Sequence, residues 1–198
     1  MKLRNKNLKI LKSNHVYSEE MEHDACGVGL VASTEGLKSR KVVEYGIDAL
    51  KAVWHRGAID ADGKTGDGAG IHIEIPKDFF EEKIEVTGHK HDNSELCVGM
   101  IFLPRNDYSA QEQCRTIVES ELTKRNFSIY GWRQVPVDPS VLGEKAEQTR
   151  PEITQVLFTY NDKKVVNKSL EQKLYETRRV IEKEALNNQL SNFYICSF

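Results

Sequence analysis

Cys26-Gly-Val-Gly-Leu-Val-Ala32 is the first sustained apolar run in the sequence. A short apolar run that ends at a turn, here Ser33 to Gly36, is typical of a buried strand. Residues 1–25 are polar and show no sustained periodicity, so we interpret them as a tail. The domain is therefore expected to cover residues 26–198.

The rest of the chain alternates between helical and strand patterns. Apolar residues at helical spacing predict helices over 39–54, over 109–124, and along Leu170, Leu174, Ile181 and Ala185. Pro76 predicts the start of a further short helix, because proline is favoured at the first helical position. Strand patterns cover 71–75, 96–103, 127–137, 152–160 and Phe193–Phe198. A glycine- and aspartate-rich loop connects His55 to Gly70, and a polar loop covers 87–95.

Length and composition limit the class of protein. A chain of 198 residues and 22.6 kDa fits about one domain. A net charge of −2 argues against a nucleic-acid partner, and no apolar run approaches the roughly 18 residues of a membrane span. The four cysteines form no C-x-x-C pair, and the N-terminus lacks the apolar region of a secretory signal. These features predict a soluble cytoplasmic protein.

Two glycine-rich patterns resemble ligand sites, but each fits a simpler structure better. Gly27-Val-Gly-Leu-Val-Ala32 matches a loose dinucleotide fingerprint, yet no strand pattern precedes it as that motif requires. Asp60–Asp67 has the alternating carboxylates of a calcium loop, but its glycine comes fourth rather than sixth. We interpret the second as a tight turn whose glycines supply positive φ. These glycines are Gly63, Gly66, Gly68 and Gly70.

Histidines also lie in positions with simple explanations. His89 and His91 are interpreted as residues of a solvated loop without a third metal ligand. His55-Arg-Gly57 follows a predicted helix. Positively charged side chains such as Arg56 are stabilising near a helix C-terminus, and glycine commonly ends a helix. This explains less well why the glycine-dense loop leads directly into a strand, where backbone could approach a ligand closely.

Cys26 differs from the other cysteines by its position. Cys97, Cys114 and Cys196 lie within apolar patterns and are expected to be buried. Cys26 instead begins its run, directly after a polar tail and between small residues. If the tail were removed, the α-amino group of Cys26, with a pKa near 7.7–8.0, could act as the general base for its own thiol.

The chain carries several distinctive motifs, which are Cys26–Ala32, His55-Arg-Gly-Ala58, Thr65-Gly-Asp-Gly-Ala-Gly-Ile71, Gly131-Trp-Arg-Gln-Val-Pro-Val-Asp-Pro-Ser-Val-Leu-Gly143, Gln172-Lys-Leu-Tyr175 with Arg178-Arg179, and Phe193-Tyr-Ile-Cys196. Together these motifs resemble the class II glutamine amidotransferases, and more narrowly the glutaminase domain of glutamate synthases. The segment from Gly131 argues against other class II amidotransferases, such as those that form phosphoribosylamine or asparagine.

The resemblance implies a fold and a reaction. The fold is the α+β sandwich of N-terminal-nucleophile hydrolases, in which two antiparallel sheets stack between helical layers (αββα). Removal of residues 1–25 exposes Cys26, whose thiol hydrolyses glutamine to glutamate and ammonia through a thioester. The ammonia serves glutamate synthesis from 2-oxoglutarate elsewhere in the large chain.

The resemblance also assigns roles to residues, cofactors and partners. Arg56 supports the nucleophile, while Gly27, Gly57 and the Asp67-Gly68-Ala-Gly70 segment shape the site. No metal is expected, and FMN and an iron–sulfur cluster belong to other parts of the complete enzyme. The implied partners are the substrate glutamine, the rest of the large chain and a small subunit.

The end of the sequence suggests an incomplete domain. Family residues that bind glutamine and form the oxyanion hole follow the Phe193–Phe198 strand, so they are expected beyond Phe198. We therefore expect the 198-residue chain alone to fold poorly and to lack useful glutaminase activity. The alternative is an inactive remnant or a subunit that docks onto the missing part.

The position of Cys26 generates a prediction about processing. In active protein the Ala25–Cys26 bond is expected to be cut, because the mechanism requires a free α-amine at Cys26. N-terminal sequencing of the active full-length protein should begin at Cys26. Full activity with any part of residues 1–25 still attached would contradict the amine as base.

Overall fold

The computed structural model describes Lys6, Lys9, Ile10, Ser13 and residues 27–54, 57–91, 94–162 and 168–198. Its helices are α1 (Arg40–Ala52), α2 (Lys77–Val86), α3 (Tyr108–Lys124), α4 (Glu144–Thr149) and α5 (Lys168–Asn187). Its strands are β1 (Leu96–Leu103), β2 (Phe127–Gln134), β3 (Glu152–Tyr160) and β4 (Tyr194–Ser197). A short 3-10 turn at Pro139–Val141 precedes α4.

The chain divides into two compact units. The larger unit contains Ala61–Thr65 and the described residues of Ile73–Phe198, and the smaller contains the described residues up to Asp60 together with Gly66–His72. The smaller unit carries α1, and the larger carries the four strands named above. Among the described helices, none is both long enough and apolar enough to cross a membrane.

The four strands form one antiparallel sheet in the order β2-β3-β1-β4. β1 pairs with β3 without interruption, from Leu96 opposite Thr159 to Leu103 opposite Glu152. β2 pairs with the other side of β3 and shifts register between Ile129 and Gly131. The two long central strands therefore position everything that packs on either face of the sheet.

The first face of the sheet carries the main core. Odd-numbered residues of β1, such as Ile101 and Leu103, share this core with Val156 and Phe158 of β3. Helices α3 and α5 supply the opposing apolar side chains, which are Cys114, Val118, Leu122, Leu170, Leu174 and Ile181. This arrangement explains the helical apolar stripes in both segments.

The second face of the sheet is covered less completely. Phe80 and Ile84 of α2 pack there against Leu96, Tyr130 and Leu157. Farther along β1 the side chains on this face, Val98, Met100 and Phe102, are only half-buried. Tyr194 of β4 contacts the ring of Phe102 and remains 54% exposed. Apolar surface therefore extends beyond α2 on this face.

Most of the predicted elements are confirmed. β1 and β3 have the predicted bounds, and α1 begins after Ser39, whose side chain accepts a hydrogen bond from the Lys41 backbone N–H. β2 ends at Gln134 rather than at 137, and Pro76 caps α2 instead of starting it. α4 was not predicted, because six residues are too few to show a clear apolar period.

Two predicted strands are wrong in the described residues. Residues 27–32 and 71–75 have no strand structure, and Val28 and Leu30 are each 91% exposed. Their apolar patterns suit a strand, but a strand exists only through hydrogen bonds to a neighbouring strand. The structure pairs neither segment with a strand in its described part, so the pattern alone does not produce the element.

Glu121 is a buried carboxylate on the core-facing side of α3. It is only 7% exposed, and it lies among the apolar residues of that helix. Lys124 Nζ donates to Glu121 Oε1 at 2.7 Å, and Arg125 Nη1 pairs with Oε2. These partners lower the pKa of Glu121, with the Lys124 hydrogen bond as the largest cause.

The Glu121 contacts generate a prediction about stability. Because the folded state favours the ionised carboxylate, its contribution is complete above the unfolded pKa and is lost as pH falls through the lowered folded pKa. Glu121→Gln should reduce the free energy of unfolding by about 1 kcal/mol at neutral pH. Urea unfolding near pH 7 and near pH 3.5 should show this difference shrinking at the lower pH.

Glu112→Gln on the same helix is the matched control. Glu112 pairs with Arg115 at 3.4 Å and is 72% exposed. Exposed pairs contribute about 0–1 kcal/mol, so this variant should change stability less than Glu121→Gln. An equal loss of stability in both variants, or a loss in Glu121→Gln that is independent of pH, would show that the ionised Glu121 carboxylate does not stabilise the fold.

Candidate active site

The predicted site residues fall into two groups. Cys26, His55 and Arg56 lie outside the described residues. The structure describes Gly27, Gly57, Asp67, Gly68 and Gly70, which all belong to the smaller unit. The geometry of the site is therefore built from the loop that surrounds Gly57 and Asp67.

The end of the α1 segment leads directly into this loop. The Val53 N–H donates to Leu50 O at 3.3 Å, and the Gly57 N–H donates to Trp54 O at 3.0 Å. The next residue, Ala58, donates its backbone N–H to Asp67 Oδ2 at 2.9 Å. Asp67 therefore fixes the backbone that directly follows Arg56 and Gly57.

Residues 58–67 form a hairpin loop. An antiparallel bridge joins Ile59 to Gly66 at its base, beside the hydrogen bond from Ala58 to Asp67. A Cβ added at Gly66 would lie 3.3 Å from Ala58 O, which is tighter than most Cβ contacts. The two sides of the hairpin thus approach closely at its base, and Gly66 has a packing reason to lack a side chain.

The tip of the hairpin is the turn Asp62–Thr65. Asp62 Oδ1 accepts hydrogen bonds from the backbone N–H groups of Lys64, at 2.9 Å, and Thr65, at 2.7 Å. Thr65 Oγ1 donates to Asp62 Oδ2 at 2.5 Å. The Thr65 side-chain hydrogen bond is the largest cause that lowers the pKa of Asp62 to about 2.

This turn tests the interpretation of the Asp60–Asp67 pattern. Both Asp62 carboxylate oxygens close the turn through hydrogen bonds, so the predicted tight turn is confirmed. Gly63 and Gly68 have φ values of 68° and 90°, as expected. Gly66 and Gly70 do not have positive φ, so that part of the prediction is wrong.

Gly70, a predicted site residue, lies in open surroundings, and so does Gly29 in the run that follows Cys26. A Cβ at Gly29 or at Gly70 would meet no heavy atom within 4 Å. Gly27 belongs to the exposed segment that contains Val28 and Leu30. The structure thus brings Asp67 to the backbone beside Gly57, whereas Gly29 and Gly70 have no packing neighbour at the position of a Cβ.

The described cysteines differ in burial and reactivity. Burial raises the pKa of Cys97 to about 12 and that of Cys114 to about 11, so both thiols are protonated at neutral pH. Cys196 is exposed, and its predicted burial is wrong. On the edge strand β4, Ile195 enters the main core and the alternating neighbours Tyr194 and Cys196 face away from it.

His91 is buried, contrary to the prediction of a solvated loop. Its side chain is 5% exposed, and its Nδ1 lies 3.0 Å from Glu81 Oε1. The ring also lies edge-on to Tyr130, with centroids 5.8 Å apart. His91 therefore anchors the loop after α2 to the second face of the sheet, while His89 contacts Thr87.

Sequence reasoning missed the contact of the hairpin tip with Gly143, which lies immediately before α4. A Cβ at Gly143 would overlap Asp62 and Thr65. The turn itself could have been recognised, since Asp followed by Gly and Thr favours side-chain-to-backbone hydrogen bonds. Gly143 could not have been recognised as the partner of this turn, because it lies about eighty residues away in the sequence.

Comparison with known proteins identifies the family. The family model for class-II glutamine amidotransferases matches residues 26–198. The chain belongs to the class-II glutamine amidotransferases. Among its curated relatives is the glutamate synthase [NADPH] large chain of Azospirillum brasilense, with 52% identity over 191 residues. A ferredoxin-dependent glutamate synthase of Pyropia yezoensis is 36% identical over 193 residues.

The relatives are much longer than this amidotransferase chain. The matches cover 96% of this chain but only 12% of each of those two relatives. The ferredoxin-dependent glutamate synthase 2 of Arabidopsis thaliana, 36% identical over 192 residues, shows the same relation, with 12% of its length covered. The similarity thus concerns one small part of a large chain.

The cysteine environments generate a prediction about chemical modification. In the native 198-residue chain near pH 8, iodoacetamide should modify Cys196, whereas Cys97 and Cys114 should remain unmodified because thiolate is the reactive form. Peptide mass spectrometry before and after unfolding measures this difference. Native modification of Cys97 or Cys114 as fast as that of Cys196 would contradict the burial described above.

Proposed function

We propose that this chain is part of a glutaminase module of a glutamate synthase, with glutamine as substrate and Cys26 as nucleophile. The observation that carries this proposal is that the family match begins at Cys26. Two further facts support it. Cys97 and Cys114, which are other cysteines that could be considered as the nucleophile, have raised pKa values. The relatives named above are glutamate synthases.

The proposed organisation follows from the same residues. Residues 1–25 are a propeptide, and residues 26–198 belong to the amidotransferase domain. Cleavage before Cys26 gives that residue an α-amino group with a pKa near the working pH. Nucleophile and base then reside on one residue, which satisfies the need for a nearby base without a histidine.

The proposed reaction proceeds through a covalent intermediate. The α-amine of Cys26, through a water molecule, takes the thiol proton while Sγ bonds to the carboxamide carbon of glutamine. The tetrahedral intermediate collapses as the C–N bond breaks, and the proton returns to the leaving nitrogen as ammonia departs. Water then attacks the thioester, releases glutamate and restores the thiol.

The site residues have supporting roles in this proposal. Arg56 is assigned a supporting role toward Cys26 through the family resemblance, while Gly27 and Gly57 allow close approach of the backbone. Asp67 holds the Ala58 N–H and thereby the end of the His55–Ala58 segment. Gly68, at a φ of 90°, turns the chain, and the segment from Asp67 to Gly70 helps to shape the site.

The proposed complete fold is the αββα sandwich, with this sheet as one of its two layers. The second face of the sheet supports this proposal. Met100 and Phe102 there are half-buried, and Tyr194 is largely exposed, although these side chains extend the apolar surface around α2. A second sheet stacked on this face would cover them, as stacked sheets do when they share a core.

The ammonia is proposed to serve glutamate synthesis from 2-oxoglutarate in the cytoplasm, in the rest of the large chain and with a small subunit. FMN and an iron–sulfur cluster are assigned there as well. Iron–sulfur clusters are held by cysteine thiolates. In the described part of the chain, no three or more His, Cys, Asp or Glu side chains lie together where they could hold a metal ion.

The proposed nucleophile is tested by selective labelling of the full-length protein. A glutamine-analogue alkylator should modify Cys26 alone and abolish ammonia release. Cys26→Ser should reduce hydrolysis by at least about 10³-fold, because removal of a nucleophile eliminates the covalent route. Glutamine should protect Cys26 from the alkylator.

Cys196→Ser is the matched control, because Cys196 is the exposed cysteine of the described residues. This variant should keep both hydrolysis and labelling. Activity that survives in Cys26→Ser, or labelling of Cys196 that glutamine blocks, would show that the nucleophile is misassigned.

A further inference from the structure

Gly143 occupies a position whose backbone does not require glycine. Its φ of −74° and ψ of 163° lie in the extended region that all residues adopt. It caps the start of α4 without a side chain. A reason for glycine at this position must therefore come from its surroundings.

The surroundings leave no room for a side chain. A Cβ at Gly143 would lie closer to Asp62 Oδ2 and Thr65 Oγ1 than van der Waals contact allows. It would also lie 2.7 Å from the Thr65 backbone nitrogen. A rotamer change could move the two side-chain atoms, but it cannot move the backbone nitrogen. A methyl group at position 143 would therefore displace the Asp62–Thr65 turn itself.

The turn resists such displacement because it is closed by its own hydrogen bonds. Asp62 accepts from the backbone N–H groups of Lys64 and Thr65 and from the Thr65 hydroxyl. The charge of Lys145, two residues after Gly143, also favours the ionised Asp62 carboxylate. The start of α4 thus meets a preformed turn through close packing and charge attraction.

The turn is joined to the proposed site by a short, closed hairpin. Its base is held by the bridge from Ile59 to Gly66 and by the hydrogen bond from the Ala58 N–H to Asp67. Gly57, which follows Arg56 in the sequence, immediately precedes this base. The tip and the base belong to one continuous chain segment, residues 58–67, so a displaced turn is expected to disturb the base through the chain itself.

We propose that Gly143 is a positioning residue for glutamine hydrolysis: its lack of a side chain seats the Asp62–Thr65 turn and thereby holds the 58–67 hairpin. This inference rests on the proposed function. It extends that function, because Gly143 at the end of the Gly131–Gly143 segment would help to position the hairpin for glutamine hydrolysis. Gly143 acts through the hairpin and makes no contact with substrate in this proposal.

The test compares Gly143→Ala with Gly46→Ala in the full-length protein. A Cβ at Gly46 meets no heavy atom within 4 Å, and this glycine lies inside α1, so the control makes the same chemical change in open space. Two readouts are measured: hydrogen exchange of the Lys64 and Thr65 amides, and kcat and KM for glutamine hydrolysis.

Gly143→Ala should accelerate exchange at these two amides by about tenfold or more, with exchange in β1 and β3 unchanged. It should lower kcat on the order of 10- to 100-fold, because small misplacements of reacting groups have effects of this size. KM should change less than about threefold, since the glutamine-binding residues are assigned elsewhere. Gly46→Ala should change neither readout.

Each outcome decides one of the two proposals. Unchanged exchange and kcat in a folded Gly143→Ala variant would overturn the positioning role. If that variant does not fold, Thr65→Ala removes the hydroxyl that closes the turn without adding volume, and the same two changes are required of it. Wild-type protein that does not hydrolyse glutamine would instead refute the proposed function, while the exchange data still show whether Gly143 holds the hairpin.

Discussion

The uninterrupted antiparallel pairing of β1 with β3 is the constraint on which the rest of the larger unit depends. It joins residues from Leu96 opposite Thr159 to Leu103 opposite Glu152, so segments far apart in the sequence pair along an eight-residue register. That register sends alternating side chains of β1 to two different cores, one under α3 and α5 and the other under α2. β2 and β4 then add to the outer sides of this pair and form the edges.

The sequence predicted this framework because its signals are local. β1 and β3 are short apolar runs between polar segments, and α3 and α5 carry stripes at helical spacing. The failures have a different origin. Residues 27–32 and 71–75 carry strand patterns without a strand partner in the described structure, and Cys196 lies in an apolar run on an edge strand. Strand formation and burial at these positions depend on contacts with residues distant in the sequence, which a local pattern does not contain.

In the candidate site, too, features with a local sequence signal were predicted, whereas a contact between distant residues was not. The glycines and carboxylates of the 58–67 hairpin were recognised as a turn from their composition, and Asp67 was selected through a resemblance. The hydrogen bond from the Ala58 N–H to Asp67 explains physically why a carboxylate at that position holds the segment after Arg56. The contact of Gly143 with Asp62 and Thr65 was visible only in three dimensions, because nothing near Gly143 in sequence indicates its partner.

Cys26 is proposed to form a covalent acyl intermediate with glutamine, and rapid acid quenching of the full-length protein during turnover would trap that intermediate. A glutamyl thioester is expected on a peptide that begins with Cys26, and hydroxylamine should remove this adduct as a hydroxamate. Ammonia release without any covalent adduct, or with a glutamyl group on another residue, would show that Cys26 is not the nucleophile.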